Sequence, residues 1–259
     1  MKRLILKNPT CFRPNLFMWE NQTLIFGSVA YLGLHSMGTF AINVGMYQPF
    51  YLKTVDGSYQ PYRCAIIPAG CDHELFCNGN VIASLMIEKN SADFMRLKKR
   101  FSFSPTTITP VDDVEWVDVF QTIYQENLTK TQIQQLIDKL LNVEIEITHQ
   151  LDPRIDSIMQ TIRLDCGTEF SQEYLANTVG LSPSRFRHLF REQSDIPYSR
   201  YKIWRRVITA METLHKVDNL THAAMEAGFT DSAHFNRCFR ATFGVNPSLM
   251  FKNMDRFDV

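Results

Sequence analysis

The last third of the chain sets the tightest limits on the fold. FSQEYLANTVGLSPSRFRHLF, residues 170–190, and LTHAAMEAGFTDSAHFNRCFRATFGVNPSLMF, residues 220–251, follow one plan. Each has a short helix containing small residues, a glycine stop, a new cap, and a second helix with aromatic residues at i and i+3 or i+4. In the first unit Ser171 caps the leading helix, Gly180 ends it, and Ser182 with Pro183 opens the second helix. Phe186, Leu189 and Phe190 then share the inward face, leaving Ser184, His188 and Arg191 outward with Arg187 and Arg185 on the flanks. In the second unit Gly228 ends the leading helix and Asp231 caps its successor, and Gly244 stops that helix before Asn246-Pro247. Phe235, Cys238 and Phe239 are expected inside, with Ala233, Arg237 and Arg240 pointing away and His234 and Asn236 beside them.

Two such units in register form tandem helix-turn-helix readers. The second helix of such a unit fits the major groove and presents its outer side chains to base edges. PYSRYKIWRRVITAMETLHK joins the units without a breaker after Pro197. Tyr201, Trp204, Ile208, Met211 and Leu214 make its apolar stripe. A continuous helix there would hold the readers for successive major grooves, roughly 34 Å apart. Arg200, Lys202, Arg205 and Arg206 would then face phosphates, adding salt dependence rather than sequence information.

Charge agrees with this division. The whole chain is neutral, with 27 Lys and Arg against 27 Asp and Glu. From Ser171 to Lys252, however, eleven basic residues face seven acidic ones, so the remainder is acidic by the same margin. No apolar run approaches the ~18–20 residues of a membrane span. The opening MKRLILKNPTCFRPN has too short an apolar run for a secretory signal. Six cysteines without CxxC pairs read as reduced thiols, and the expected location is cytoplasmic.

Residues from about 1 to 110 read as short strands, among them TLIFGSVAYLGL, TFAINVGM, PFYLKTVDGSY, CAIIPAG and VIASLMIE. The turn dipeptides Asp56-Gly57 and Asn78-Gly79 separate such runs, a pattern of a sandwich or barrel. Phe26, Tyr31, Phe40, Tyr47, Phe50 and Tyr51 either fill its core or line a pocket. Helical periodicity takes over from about 112 to 147. Ile133, Leu136, Ile137, Leu140 and Leu141 form a strong stripe there, which serves either the core or a dimer interface; Ile133, Leu136, Ile137 and Leu140 are the candidate dimerisation residues. Asp152 and Pro153 start a further helix, and the boundary between a first domain, 1–150, and a second, 151–259, is placed near 150. The fold class is α+β with two domains.

At Gly228-Phe229, Ser232, His234-Phe235, Arg237, Phe239, Gly244 and Pro247 the segment AGFTDSAHFNRCFRATFGVNPS resembles the signature of the AraC/XylS family of bacterial transcription regulators. LANTVGLSPSRFRHLF also fits, and the resemblance covers roughly 153–252. It implies a seven-helix DNA-binding domain. Its base-facing positions would be Ser184, Arg187 and His188 in the first reader, and Ala233, His234 and Arg237 in the second; Arg185, Arg191, Arg205, Arg206 and Arg240 complete the expected DNA contacts. The family usually has glycine where this chain has Asp195, a residue that tolerates the left-handed conformation. Ala233 offers only a methyl contact.

CAIIPAGCDHELFCNG is more weakly similar to the cupin-like sensor domains that precede such readers, with Ala69 interrupting the usual spacing. The implied N-terminal fold is a cupin-like β-barrel or sandwich followed by helices. His35 and His73 are its candidate histidines, without a His-x-His pair, so neither a metal nor another cofactor is expected. The leading expectation is a sequence-specific transcription regulator rather than an enzyme, and an activator by family habit. Its expected partners are double-stranded promoter DNA, RNA polymerase, a small-molecule effector and a second copy of itself. Three alternatives stay open. One is a thiol- or metal-responsive regulator using Cys64, Cys71 and Cys77; another is a regulator controlled by a partner protein rather than by a small molecule; the third is a metal-dependent cupin enzyme.

Overall fold

Phe40, Ile42 and Val44 alternate with Ala41 and Asn43, and this period of two gives one strand two faces, both buried. Such segments dominate the first half of the computed structural model, which describes residues 14–28, 30–55, 57–77, 79–144, 151–251 and 254–259. The N-terminal residues including Cys11, the turn residues Asp56 and Asn78, and linker residues 145–150 lie outside that set.

The strands are β1 (Asn15–Met18), β2 (Gln22–Gly27), β3 (Tyr31–His35), β4 (Phe40–Gly45), β5 (Phe50–Thr54), β6 (Gln60–Tyr62), β7 (Cys64–Ile67), β8 (His73–Phe76), β9 (Ile82–Ile87), β10 (Thr109–Pro110) and β11 (Arg256–Asp258). Among the described residues they make a seven-stranded sheet, ordered β10-β7-β4-β9-β2-β1-β11, and a four-stranded sheet, β3-β8-β5-β6. All neighbours are antiparallel except β1 and β11, which run parallel with Asn15 opposite Arg256.

One face of the larger sheet is covered by α1 (Ala92–Phe101), α2 (Val114–Gln125) and α3 (Lys130–Leu140). Phe26, Phe40 and Leu85 meet Phe94, Trp116, Phe120 and Ile133 there. Helix α1 falls within the stretch read as strands; Ser91 caps it by accepting from the Phe94 N–H at 3.2 Å. The stripe on α3 belongs to this core. Ile133 and Ile137 are fully buried, Leu140 is buried and Leu136 is half-buried. Expected dimerisation through Ile133, Leu136, Ile137 and Leu140 is therefore corrected, because these side chains already cover their own sheet.

Among the described residues the C-terminal part has the seven helices the resemblance implied: α4 (Pro153–Leu164), α5 (Gln172–Thr178), α6 (Pro183–Ser194), α7 (Tyr198–Val217), α8 (Leu220–Glu226), α9 (Ser232–Phe243) and α10 (Pro247–Phe251). Helix α7 is continuous over 20 residues, roughly 30 Å. The two readers share cores with opposite faces of the large sheet. Phe186 and Phe190 continue the helix-covered core, while Phe235 and Phe239 join the inter-sheet core of Leu16, Ala41, Phe50 and Leu75.

Candidate nucleic-acid interface

Local chemistry builds both reader helices as their sequence demands. Ser182 Oγ accepts from the Arg185 N–H at 3.2 Å and Pro183 occupies the first turn of α6. Its end is Asp195, left-handed at φ 65°, so the turn survives without the family's glycine. Phe186, Leu189 and Phe190 are buried. Ser184, Arg185, Arg187, His188 and Arg191 are exposed on the other side. Asp231 Oδ1 caps α9 by accepting from the His234 N–H at 2.7 Å, and this bond holds the Asp231 carboxyl below its ordinary range.

Phe235 and Phe239 are buried, whereas Cys238, expected inside, is half-buried. Ala233, Arg237 and Arg240 are exposed. His234 is half-buried, edge-on to Phe229 at 5.3 Å, with Nδ1 3.2 Å from Thr230 Oγ1. Its ring is thus held in place. Arg240 is braced by Nε donating to Asn246 Oδ1 at 2.9 Å.

The linker helix is different. Arg205 is buried, with Nη1 3.3 Å from Glu88 Oε1 at the end of β9, and Trp204 Nε1 donates to the same oxygen at 2.8 Å. Arg206 is buried too, donating from Nε to the Cys166 carbonyl at 3.1 Å and from Nη2 to Glu169 at 2.6 Å. The expected phosphate contacts at Arg205 and Arg206 are therefore corrected: both guanidinium groups are spent inside the protein. Arg200 donates to the Gly70 carbonyl at 2.9 Å, and Lys202 to Glu169. Spacing already signalled the role of Arg205, which lies at i+4 from Tyr201 and i−3 from Ile208, on the buried stripe. Glu88 gave no such signal, since its partners lie 116 and 117 residues away.

A direct test follows. Arg191→Ala should lower the slope of log affinity against log salt by about one, as for a lost phosphate contact. Arg206→Ala should leave that slope unchanged while lowering the melting temperature. An unaltered melt together with a reduced slope for Arg206→Ala would return it to the phosphate set.

Further contacts join the readers to the strands. The Ser36 N–H donates to the Ala241 carbonyl at 3.0 Å and the Gly33 N–H to the Gly244 carbonyl at 3.3 Å, docking the end of α9 on β3. Gly244 is required twice: φ is 72°, and a Cβ would lie 2.8 Å from His35 Nδ1. Lys89 Nζ meets Asp195 at 2.6 Å beside α6.

His35 and His73 lie together, ring centres 4.2 Å apart, both buried. Burial, then the neighbouring His73, pushes His35 down to about 3, and burial also lowers His73. Their Nδ1 atoms face the carbonyls of Gly33 and Cys71. Among the described residues no three His, Cys, Asp or Glu side chains form a metal-binding group. Burial pushes the Cys64 and Cys77 thiols up to about 12 and raises Cys71, the opposite of what a reactive thiolate needs.

With this geometry in hand, residues 175–253 match the family described as a helix-turn-helix domain. This part of the chain is a helix-turn-helix domain. The chain is 24% identical over 172 residues to the transcriptional activator RhaS of Escherichia fergusonii, covering 66% of this chain and 58% of RhaS. To the arabinose operon regulatory protein of Salmonella typhimurium it is 30% identical, over 48% of this chain and 46% of that protein. It spans 58% and 37% of the length of RhaS and of a RhaR from Pectobacterium carotovorum. Among solved structures, ToxT from Vibrio cholerae aligns over 90% of this chain and 98% of its own, with a TM-score of 0.59 and 12% identity. That likeness establishes the two-part fold, a strand-rich half followed by a helical domain. Among the described residues no helix is long and apolar enough to cross a membrane.

Proposed function

We propose that this chain is a sequence-specific DNA-binding transcription regulator that activates its promoters by engaging RNA polymerase. Residues 151–259 serve as the DNA-binding domain and residues 1–150 as the domain that responds to a small molecule. The observation that carries this reading is the pair of capped reader helices, each with an aromatic inner face and an exposed basic outer face. Ser184, Arg187 and His188 read bases from α6, and Ala233, His234 and Arg237 from α9, while Arg185, Arg191 and Arg240 hold phosphates. Similarity to RhaS, a transcriptional activator, and to the arabinose operon regulatory protein supports a regulator rather than an enzyme. ToxT has been solved with an unsaturated fatty acid, which supports an effector-responsive strand domain. Because the readers are docked on that domain, a ligand that prefers one arrangement shifts how they meet DNA.

Genome-wide mapping of bound sites followed by footprinting tests the proposal; a chain that protects no defined site overturns it. Arg187→Ala and Arg237→Ala should each weaken specific binding by about 1–3 kcal/mol and relax the preference at one base position. Equal loss on random DNA would instead mark the residue as a phosphate contact.

A further inference from the structure

Between the inner face of the seven-stranded sheet and the chain that follows α9 lies a cavity of about 370 Å³. That is near the lower end of the roughly 300–1,000 Å³ typical of small-molecule sites. Ile82 and Met86 of β9 form one wall, and Phe243 and Met250 of the second reader unit form the other. Most of the exposed lining is hydrocarbon. Ser28, His35, Asn43 and Ser84 break it; of these, Asn43 on β4 and Ser84 on β9 sit directly opposite each other in register.

Asn43 is only 4% exposed, and its Oδ1 has no hydrogen-bond partner among the described residues. An unmet buried amide oxygen costs about 1–3 kcal/mol and calls for an explanation. Its neighbours cannot supply one by charge, because no described lining residue is Asp, Glu, Lys or Arg. His35, which also lines the space, is uncharged near neutral pH. An ionic ligand would enter this space without a counter-charge, which apolar surroundings penalise heavily.

We infer that the cavity binds an uncharged, mainly hydrocarbon molecule with one hydrogen-bonding head, such as an alcohol. The head sits on Asn43 and Ser84, and the body lies against Phe243 and Met250. Because its walls come from both halves, the occupant favours the arrangement in which Ala241 and Gly244 are docked on β3. This inference deepens the regulator reading by naming the effector's chemistry, but ligand binding itself can be measured without DNA.

The test is calorimetric titration of the full chain at pH 7.5 with octan-1-ol, octanoate and octylammonium. Octan-1-ol should bind saturably and raise the melting temperature, and both ions should bind at least about tenfold more weakly. Asn43→Leu should weaken the alcohol about tenfold, and the milder Ser84→Ala about threefold. Met250→Trp, at a half-buried position on the other wall, should block it. Octanoate or octylammonium binding as tightly as the alcohol overturns the inference, as does alcohol binding unchanged in all three variants. Footprinting the same preparations keeps the two readings apart. An intact footprint without alcohol selectivity sinks only this inference; alcohol selectivity without any footprint supports it and sinks the regulator reading.

Discussion

Glu88→Ala should destabilise the protein by about 3–5 kcal/mol, the cost of removing one partner from a buried ion pair. The carboxylate receives Trp204 Nε1 at 2.8 Å and faces Arg205 Nη1 at 3.3 Å, and both ionic partners are buried. Removing it strands a guanidinium in the joint between the strands and α7. Chemical denaturation followed by tryptophan fluorescence reads the loss directly, because Trp204 sits at the joint. Glu88→Gln keeps an acceptor for the indole and should lose less. Adding Arg205→Met to Glu88→Ala should recover most of the loss, since an apolar replacement of a whole buried pair is often neutral or better. Wild-type stability in Glu88→Ala would mean that the guanidinium finds water, and that the joint is looser than its geometry implies.

Gly38→Val should cost roughly 3 kcal/mol, the upper end of what overpacking a filled site usually costs. The reason is steric and not conformational. A Cβ on Gly38 would lie 2.2 Å from Trp204 Cβ and 2.4 Å from its Cγ. No rotamer of Trp204 relieves a clash with its own Cβ, so α7 as a whole must back away from the strands. For a chain of this size about 2–4 °C of melting temperature is lost per kcal/mol. A second melting transition is also expected as the halves uncouple. A single wild-type transition in Gly38→Val would show that the contact yields.

What the sequence revealed and what it hid follow from the range of the forces involved. Ser171, Ser182 and Asp231 were readable as caps because a cap acts within three residues, and each accepts from the backbone N–H three positions on. The left-handed turn at Asp195 was readable for the same reason. Helix α1 was not, because residues 1–110 as a whole carried the stronger strand pattern; its own signal was local, with Ser91 as cap and Phe94 and Leu97 buried three apart. The stripe on α3 showed that Ile133 and Ile137 would be covered, but not by what: a periodic face is equally satisfied by its own sheet or by a second chain. Arg205 and Arg206 were misplaced by the habit of reading arginines on an amphipathic helix as solvated. Their acceptors, Glu88 and Glu169, lie 117 and 37 residues distant. The cavity was equally hidden, since it needs β4, β9 and the chain after α9 to meet.

The parallel pairing of β11 with β1 has a consequence for how the polypeptide matures. Residues 15–18 emerge from the ribosome early, yet the neighbour that covers their outer edge is made more than two hundred residues later. Until then that rim has open amide and carbonyl groups, a ready template for stray pairing. Newly made protein is therefore most exposed to aggregation while the readers are still being synthesised.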